Sequence, residues 1–162
     1  MDILNQEFLL FLKCARENNL RYLLIGGYAV NYYGYNRNTA DMDIWLAPDN
    51  INKEAFVNTL LCMKYTENEV ALLRQEDFTL PFVGSIGSAD AIIDVLTFVH
   101  RSISYSDAEK EKNIFEIQAG IFLNSVPYEV LKEMKLLSHR DKDMFDIARL
   151  EELKNNQDKG KQ

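Results

Sequence analysis

The chain of 162 residues has little cysteine and no long apolar run, and each shortage excludes a class of protein. Its two cysteines, Cys14 and Cys62, lie in separate apolar patterns without CxxC spacing. This arrangement favours two small buried side chains in a reducing compartment over a disulfide or a zinc site. No apolar stretch approaches the roughly 20 residues that span a bilayer, and the opening MDILNQEF lacks the basic start and apolar stretch of a signal peptide. We therefore expect a cytoplasmic protein without a membrane segment.

An excess of positive charge is also missing. The formal net charge is -7 at pH 7. Such a surface repels a phosphate backbone except where lysines and arginines cluster, so the charge argues against non-specific binding of nucleic acid. A small substrate or a protein partner fits better, and nucleic acid stays open only as an RNA end that meets a local basic patch.

The order of apolar patterns predicts alternating helices and strands, and therefore the α/β class. The length fits one domain, which we place over 1–153, followed by a polar tail over 154–162 that we expect to fray. Residues 102–113 indicate a loop or a partly ordered helix. The predicted helices cover 3–18, 28–33, 51–62, 126–140 and 142–153, and the predicted strands lie at 21–25, Met42–Leu46, within 78–87 and 89–99, and in a hairpin within 115–124.

Two aspartates, Asp41 and Asp43, alternate with apolar residues in ADMDIWL. Side chains two apart on a strand point to the same face, so these carboxylates lie about 7 Å apart and can share a divalent ion. Magnesium prefers hard oxygen ligands and usually takes one or two carboxylates together with substrate phosphates. The alternative is that Asp41 caps the turn before the strand and Asp43 lies at a solvated strand end.

Gly26 and Gly27 end one predicted strand and begin a predicted helix. The free N–H groups and the positive dipole end of a helix can hold phosphate where no side chain obstructs it. A tight strand-to-helix turn is the alternative reason for two glycines at this point.

Taken together, these features resemble the nucleotidyltransferase superfamily related to DNA polymerase beta. The match consists of Ile25-Gly26-Gly27, then Asp41-Met42-Asp43, and a third acid in AIIDVLTF. A closer likeness is to small bacterial stand-alone nucleotidyltransferase-like proteins, and it is carried by GGYAVNYYG, RNTADMD and LKEMKLLSHRDKDMFDIARL. The resemblance implies a nucleotidyltransferase fold, with a small mixed sheet flanked by helices and further helices at the C-terminal end.

The resemblance also implies roles for the three acids. Asp41 and Asp43 would bind the catalytic magnesium, or manganese, together with the triphosphate. Asp94 would be a third metal ligand or the base that receives the acceptor proton. The structural alternative for Asp94 is a buried ion pair with Arg37 or Lys135.

By the same resemblance, the nucleotide would be bound by Gly26, Gly27, Arg37, Thr39 and Lys135. An arginine before the acid pair can hold a phosphate through two hydrogen bonds, and a threonine hydroxyl can bind phosphate or tie the loop. A solvent-facing arginine is the alternative.

Two further acids, Asp143 and Asp146, lie three apart on one helix. We interpret them as capping and salt-bridge residues, with Arg140 as a partner, and not as a second metal site.

The function implied is transfer of a nucleoside monophosphate from a nucleoside triphosphate to a hydroxyl on a small molecule, a protein or an RNA end, with release of pyrophosphate. A homodimer or a cognate protein partner is compatible with this. The alternative is a non-catalytic module that binds a nucleotide or a partner on the same scaffold. A nucleotide-sugar glycosyltransferase, which also uses an acid-x-acid motif, is disfavoured by the short chain and the upstream Gly-Gly turn.

Overall fold

Residues 5–160 are described by a computed structural model, in which they form six strands and seven helices. The predicted α/β class is confirmed. In chain order the elements are α1 (Gln6–Glu17), β1 (Tyr22–Ile25), α2 (Gly26–Tyr32), β2 (Met42–Leu46), α3 (Asn50–Cys62), α4 (Glu67–Gln75), β3 (Val83–Ser88), β4 (Ala91–Leu96), α5 (Tyr105–Lys110), β5 (Asn113–Gln118), β6 (Ile121–Ser125), α6 (Tyr128–Ser138) and α7 (Asp141–Lys159).

The six strands form one mixed sheet in the order β3-β4-β2-β1-β6-β5. The central strands β1 and β2 are antiparallel, whereas β2 and β4 are parallel, as are β1 and β6. The β3–β4 and β5–β6 hairpins form the two edges. This order places the strand that carries Asp43 directly beside the strand that carries Asp94.

Burial of apolar residues explains the position of the two central strands. All four residues of β1 are buried, and Met42, Ile44 and Leu46 of β2 are fully closed to solvent. Side chains alternate between the faces of a strand, so these three fill one face of β2 and leave Asp43 on the other. Burial of these apolar side chains therefore places Asp43 on the face of the sheet where the candidate site forms.

The segment between 63 and 89 differs most from the sequence prediction. Helix α4 was not predicted, although it begins with a capping box in which Thr66 and Glu69 each hydrogen-bond the other's backbone N–H. Strand β3 begins only at Val83, later than the predicted 78–87 segment, and Pro81 precedes it. Proline has no backbone N–H to donate to the sheet, which accounts for the late start.

The prediction that Cys14 and Cys62 stay unpaired is wrong, because they form a disulfide. Helices α1 and α3 pack together and bring the two Cα atoms to 5.7 Å, a separation that suits a disulfide. A pair 48 residues apart carries no local spacing signal, so the sequence could not reveal it. The cysteines therefore give no support to a reducing compartment.

The chain ends differ in extent from the predicted helices. The first predicted helix starts at 3, but residues 1–4 lie outside the described residues, and α1 is described from Gln6. At the other end, α7 continues to Lys159, beyond the predicted helix end at 153 and through most of the predicted tail. Among residues 5–160, the helices are all too short or too polar to cross a membrane.

Candidate functional site

The site is centred on two aspartates from neighbouring strands. Asp43 of β2 and Asp94 of β4 are register partners in the parallel pair, so their side chains lie side by side on one face of the sheet. Asp41 precedes β2, and its charge acts on Asp43. The structure thus brings the three acids to the same part of the sheet.

The pKa of Asp43 reflects both its burial and the nearby negative charge. Burial raises the pKa of Asp43, and the nearby charges of Asp94 and Asp41 raise it further, to about 6. The charge of Lys135 and the backbone N–H of Gly27, which hydrogen-bonds the carboxylate, act in the opposite direction. Burial and the two neighbouring acids together outweigh the groups that stabilise the ionised Asp43, and a bound cation would offset both effects.

Gly26 allows Asp43 to lie against the start of α2. Its φ is +70°, a conformation that residues with a side chain rarely adopt, and a Cβ at this position would come within 1.9 Å of Asp43 Oδ2. Helix α2 has only seven residues, and the Gly27 N–H is directed to the Asp43 carboxylate. The glycines therefore serve first to let a carboxylate and a backbone turn approach each other closely.

Gly27 provides the same close approach for two other predicted residues. A Cβ at Gly27 would lie 2.5 Å from Thr39 Oγ1 and 3.2 Å from Arg37 Nη2, so both side chains pack directly against the turn. Asn31 of α2 fixes the loop that carries them, because its side chain accepts from the Arg37 N–H at 3.0 Å and donates to the Arg37 carbonyl at 3.1 Å. Asn31 was not singled out from the sequence, and its position in GGYAVNYYG gives no specific signal.

Lys135 is buried and paired with two acids of α7. Its Nζ lies 2.9 Å from Asp143 Oδ1 and 3.0 Å from Asp146 Oδ2, and 6% or less of each side chain is exposed. Arg37 Nη1 donates to the same Asp146 Oδ2 at 2.6 Å. The Asp146 carboxylate therefore contacts both Lys135 and Arg37, the two cations expected to bind the nucleotide. Both pair with acids of α7, and neither forms the predicted alternative ion pair with Asp94.

Asp143 has a further set of donors. It accepts hydrogen bonds from Lys135, Ser138 and Arg140, the last at 2.5 Å. Burial opposes ionisation, but these donors and the Lys135 charge hold the pKa of Asp143 well below its usual range. The salt-bridge interpretation of Asp143 with Arg140 agrees with this geometry.

A cavity of about 220 Å³ opens between the sheet and helix α6. Its lining includes Gly26, Asp43, Lys135 and Arg140. This volume is below the roughly 300 Å³ at which pockets begin to enclose a whole small ligand, so the cavity suits a charged part of a ligand. Acidic, basic and backbone groups from distant parts of the chain thus meet at one opening.

Ser85 also belongs to the site, although it was not predicted from the sequence. It lies on β3 opposite Asp94 in register, and its Oγ donates a hydrogen bond to Asp94 Oδ1. Asp43, Asp94 and Ser85 therefore form a row across three neighbouring strands on one face of the sheet. Only the strand register reveals this contact, because nothing in FVGSIGS distinguishes Ser85 from Ser88.

The chain was compared with protein families, curated proteins and solved structures. No family model matches the chain, and no curated protein matches it. Among solved structures, the chain is similar to the lincosamide antibiotic adenylyltransferase LnuA in its lincomycin-bound form, with 14% sequence identity and a TM-score of 0.48. The match covers 93% of this chain and 98% of that chain. A likeness at this level does not identify an activity or a substrate.

Proposed function

We propose that this chain is a metal-dependent nucleotidyltransferase, which moves a nucleoside monophosphate from a nucleoside triphosphate to a hydroxyl group and releases pyrophosphate. The observation that carries the proposal is the position of Asp43. It is in register with Asp94 on one side and in contact with the Gly26–Gly27 turn on the other. This combination supports a site where carboxylates, a cation and phosphates meet.

The donor set fits magnesium or manganese. Asp41 and Asp43 offer carboxylate oxygens, which are the ligands that these ions prefer. The raised pKa of Asp43 also fits, since a divalent cation would offset both the burial of this carboxylate and its repulsion by Asp94 and Asp41. When bound, such an ion would neutralise charge on the phosphate oxygens and hold them in line for attack.

The side chains of the protein divide the remaining work. Asp94 lies on the outer side of the acid pair and would receive the proton of the acceptor hydroxyl. Lys135 and Arg37 would place positive charge beside the triphosphate, and Asp143 and Asp146 would keep these cations in position. Thr39 would tie the loop to the Gly27 turn.

The acceptor is defined only by its hydroxyl. A small molecule, a protein side chain and an RNA end all offer one. The net charge of -7 favours the first two, because a polyanionic acceptor is repelled by an acidic surface.

A second candidate is a nucleotide- or partner-binding module without catalysis. The ion pairs of Lys135 and Arg37 favour it, because cations already matched by buried acids have less charge to offer a triphosphate. The presence of all three acids favours the enzyme.

The test compares binding with transfer. The melting temperature of the purified chain is measured with each common nucleoside triphosphate, with and without magnesium or manganese. Labelled triphosphates are then incubated with small-molecule, protein and RNA acceptors, and products are found by mass spectrometry. Asp43→Asn and Asp94→Asn test the site, and Asp90→Asn, an exposed acid in the turn between β3 and β4, is the matched control.

We expect stabilisation by triphosphate only when the metal is present, and its loss in Asp43→Asn. Asp94→Asn should reduce transfer by about 100-fold or more while triphosphate binding persists, because a general base usually contributes that much. Asp90→Asn should behave as the wild type. Stabilisation that needs no metal, without any transfer, would favour the binding module.

A further inference from the structure

We propose that Ser85 is a site of self-nucleotidylation, where the chain attaches a nucleoside monophosphate to its own hydroxyl. The inference rests on the proposed nucleotidyltransferase function and names an acceptor for that site. Its basis is the hydrogen bond from Ser85 Oγ to Asp94 Oδ1, the carboxylate placed to receive an acceptor proton. Ser85 already has the contact that an incoming hydroxyl must make.

The sheet fixes this contact from both sides. Ser85 lies opposite Asp94 in the antiparallel β3–β4 pair, and Asp94 lies opposite Asp43 in the parallel β4–β2 pair. Neighbouring strands are about 4.8 Å apart, so the row places the serine hydroxyl two strands from Asp43 and beside the intervening acid. An exposed loop serine would not be held in this way.

Ser85 is also accessible for modification. It is exposed, and β3 is an edge strand of the sheet, so a group attached to its hydroxyl can extend towards solvent. The strand can therefore carry an adduct without displacing its pairing with β4.

The step balances with the triphosphate as the only co-reactant. Ser85 Oγ forms a bond to the α-phosphorus, the bond from that phosphorus to the bridging oxygen of the β-phosphate breaks, and pyrophosphate leaves. The serine proton passes to Asp94. The product is a phosphodiester beside Asp94, which occupies the position of any other acceptor and makes the modification self-limiting.

A purely structural role for Ser85 makes different predictions. In that case the hydroxyl only orients Asp94, no adduct forms, and removal of the hydroxyl weakens transfer to other acceptors. In our proposal the unmodified hydroxyl competes with those acceptors and accumulates an adduct. Mass spectrometry separates the two because only one of them changes the mass of the protein.

The experiment uses the full chain with each common nucleoside triphosphate and magnesium or manganese, and no added acceptor. We expect the intact mass to rise by one nucleoside monophosphate. Trypsin releases residues 75–101 as one peptide, which also contains Ser88, so fragment ions must assign the adduct to Ser85. Ser85→Ala and Asp94→Asn should abolish the adduct, and Ser85→Thr, which keeps a hydroxyl, should retain it.

Ser88→Ala is the matched control, because Ser88 lies on the same strand and donates to Glu7 Oε2 instead of to a site acid. It should be modified as the wild type is. Metal-dependent triphosphate binding without any adduct on the wild type would overturn the Ser85 proposal and leave the proposed function standing. An adduct that maps to another residue, or persists in Ser85→Ala, would also overturn it. Absence of triphosphate binding would overturn both proposals.

Discussion

Lys135 Nζ lies 2.9 Å from Asp143 Oδ1 in an ion pair that is almost closed to solvent. A second acid, Asp146, is 3.0 Å from the same nitrogen and also accepts from Arg37. Two acids of α7 thus hold Arg37, which lies in the loop before β2, and Lys135, which lies on α6. Helix α7 is thereby coupled to the loop that precedes the acid pair.

Asp146→Asn should destabilise the protein by about 3 kcal/mol, because removing one partner of a buried ion pair leaves a charge uncompensated. Urea unfolding at neutral pH measures this loss. Asp158→Asn, an exposed acid near the end of the same helix, is the control and should change the free energy of unfolding by less than about 0.5 kcal/mol. An equally small effect of Asp146→Asn would contradict a structural role for the network.

Asp43→Asn should leave the metal-free protein as stable or more stable. The pKa of Asp43 is raised from 3.8 to about 6. The stability that protonated Asp43 contributes to the free energy of unfolding is therefore fully present below pH 3.8 and is lost as the pH rises through 6. At pH 7.5 the variant avoids that loss, which amounts to at most about 3 kcal/mol.

Unfolding free energies of Asp43→Asn and the wild type, measured from pH 4 to pH 8 without metal, should be closest at pH 4, separate progressively between pH 4 and pH 6, and differ by a constant amount above pH 6. Asp90→Asn should follow the wild type throughout. A variant that is less stable than the wild type at pH 7.5 would mean that Asp43 has a structural partner.

Magnesium affinity should fall in acid for the same reason. A proton on Asp43 competes with the metal, so below pH 6 the apparent affinity should decrease by about tenfold for each pH unit. Calorimetric titration of the protein with magnesium and a non-hydrolysable triphosphate measures this dependence. Affinity that stays constant from pH 5 to pH 8 would exclude Asp43 as a ligand.

Much of the fold followed from local pattern. The bounds of β2 were predicted correctly because apolar alternation ends at Pro48, and the β5–β6 hairpin was predicted from the turn at Ala119–Gly120. Helix α4 was not predicted, although Thr66 and Glu69 have the spacing of a capping box, which is a sequence signal for a helix start.

The site was predicted only in part, because its contacts join distant segments. Arg37 and Asp146 are 109 residues apart, and no spacing rule pairs them. The Ser85 contact depends on the register of β3 against β4, because a shift of one residue would place the Ser85 side chain on the other face of the sheet. The disulfide depends on how α1 packs against α3.

Gly26→Ala should damage both the fold and the metal site. The added Cβ meets Asp43 Oδ2 at 1.9 Å, and the φ of +70° is strained for alanine. Gly120→Ala separates the two causes, since Gly120 has a φ of +76° but no atom within 4 Å of an added Cβ. We expect Gly120→Ala to cost about 1 kcal/mol and to leave magnesium binding intact.

Gly26→Ala should cost more than Gly120→Ala and should also weaken magnesium binding. Chemical denaturation and metal titration of both variants measure the two effects. Equal stability losses with unchanged metal affinity would show that the contact with Asp43 has no consequence.

Reduction of the Cys14–Cys62 disulfide should destabilise the protein by about 4 kcal/mol, the loop entropy expected for a crosslink between residues 48 apart. Guanidinium unfolding with and without a thiol reductant measures the difference. The double variant Cys14→Ala with Cys62→Ala should be insensitive to reductant. A wild type equally insensitive would mean that the crosslink does not form in solution.

The contact between Gly26 and Asp43 also constrains how this sequence can diverge. Any side chain at position 26 collides with the carboxylate at 43, whereas a smaller residue at 43 removes the collision and leaves only the backbone strain of the +70° φ. A lineage that loses Asp43 first therefore meets a smaller obstacle at position 26 than a lineage that loses the glycine first. Among descendants of this chain, a substituted Gly26 should therefore occur mainly beside a substituted Asp43.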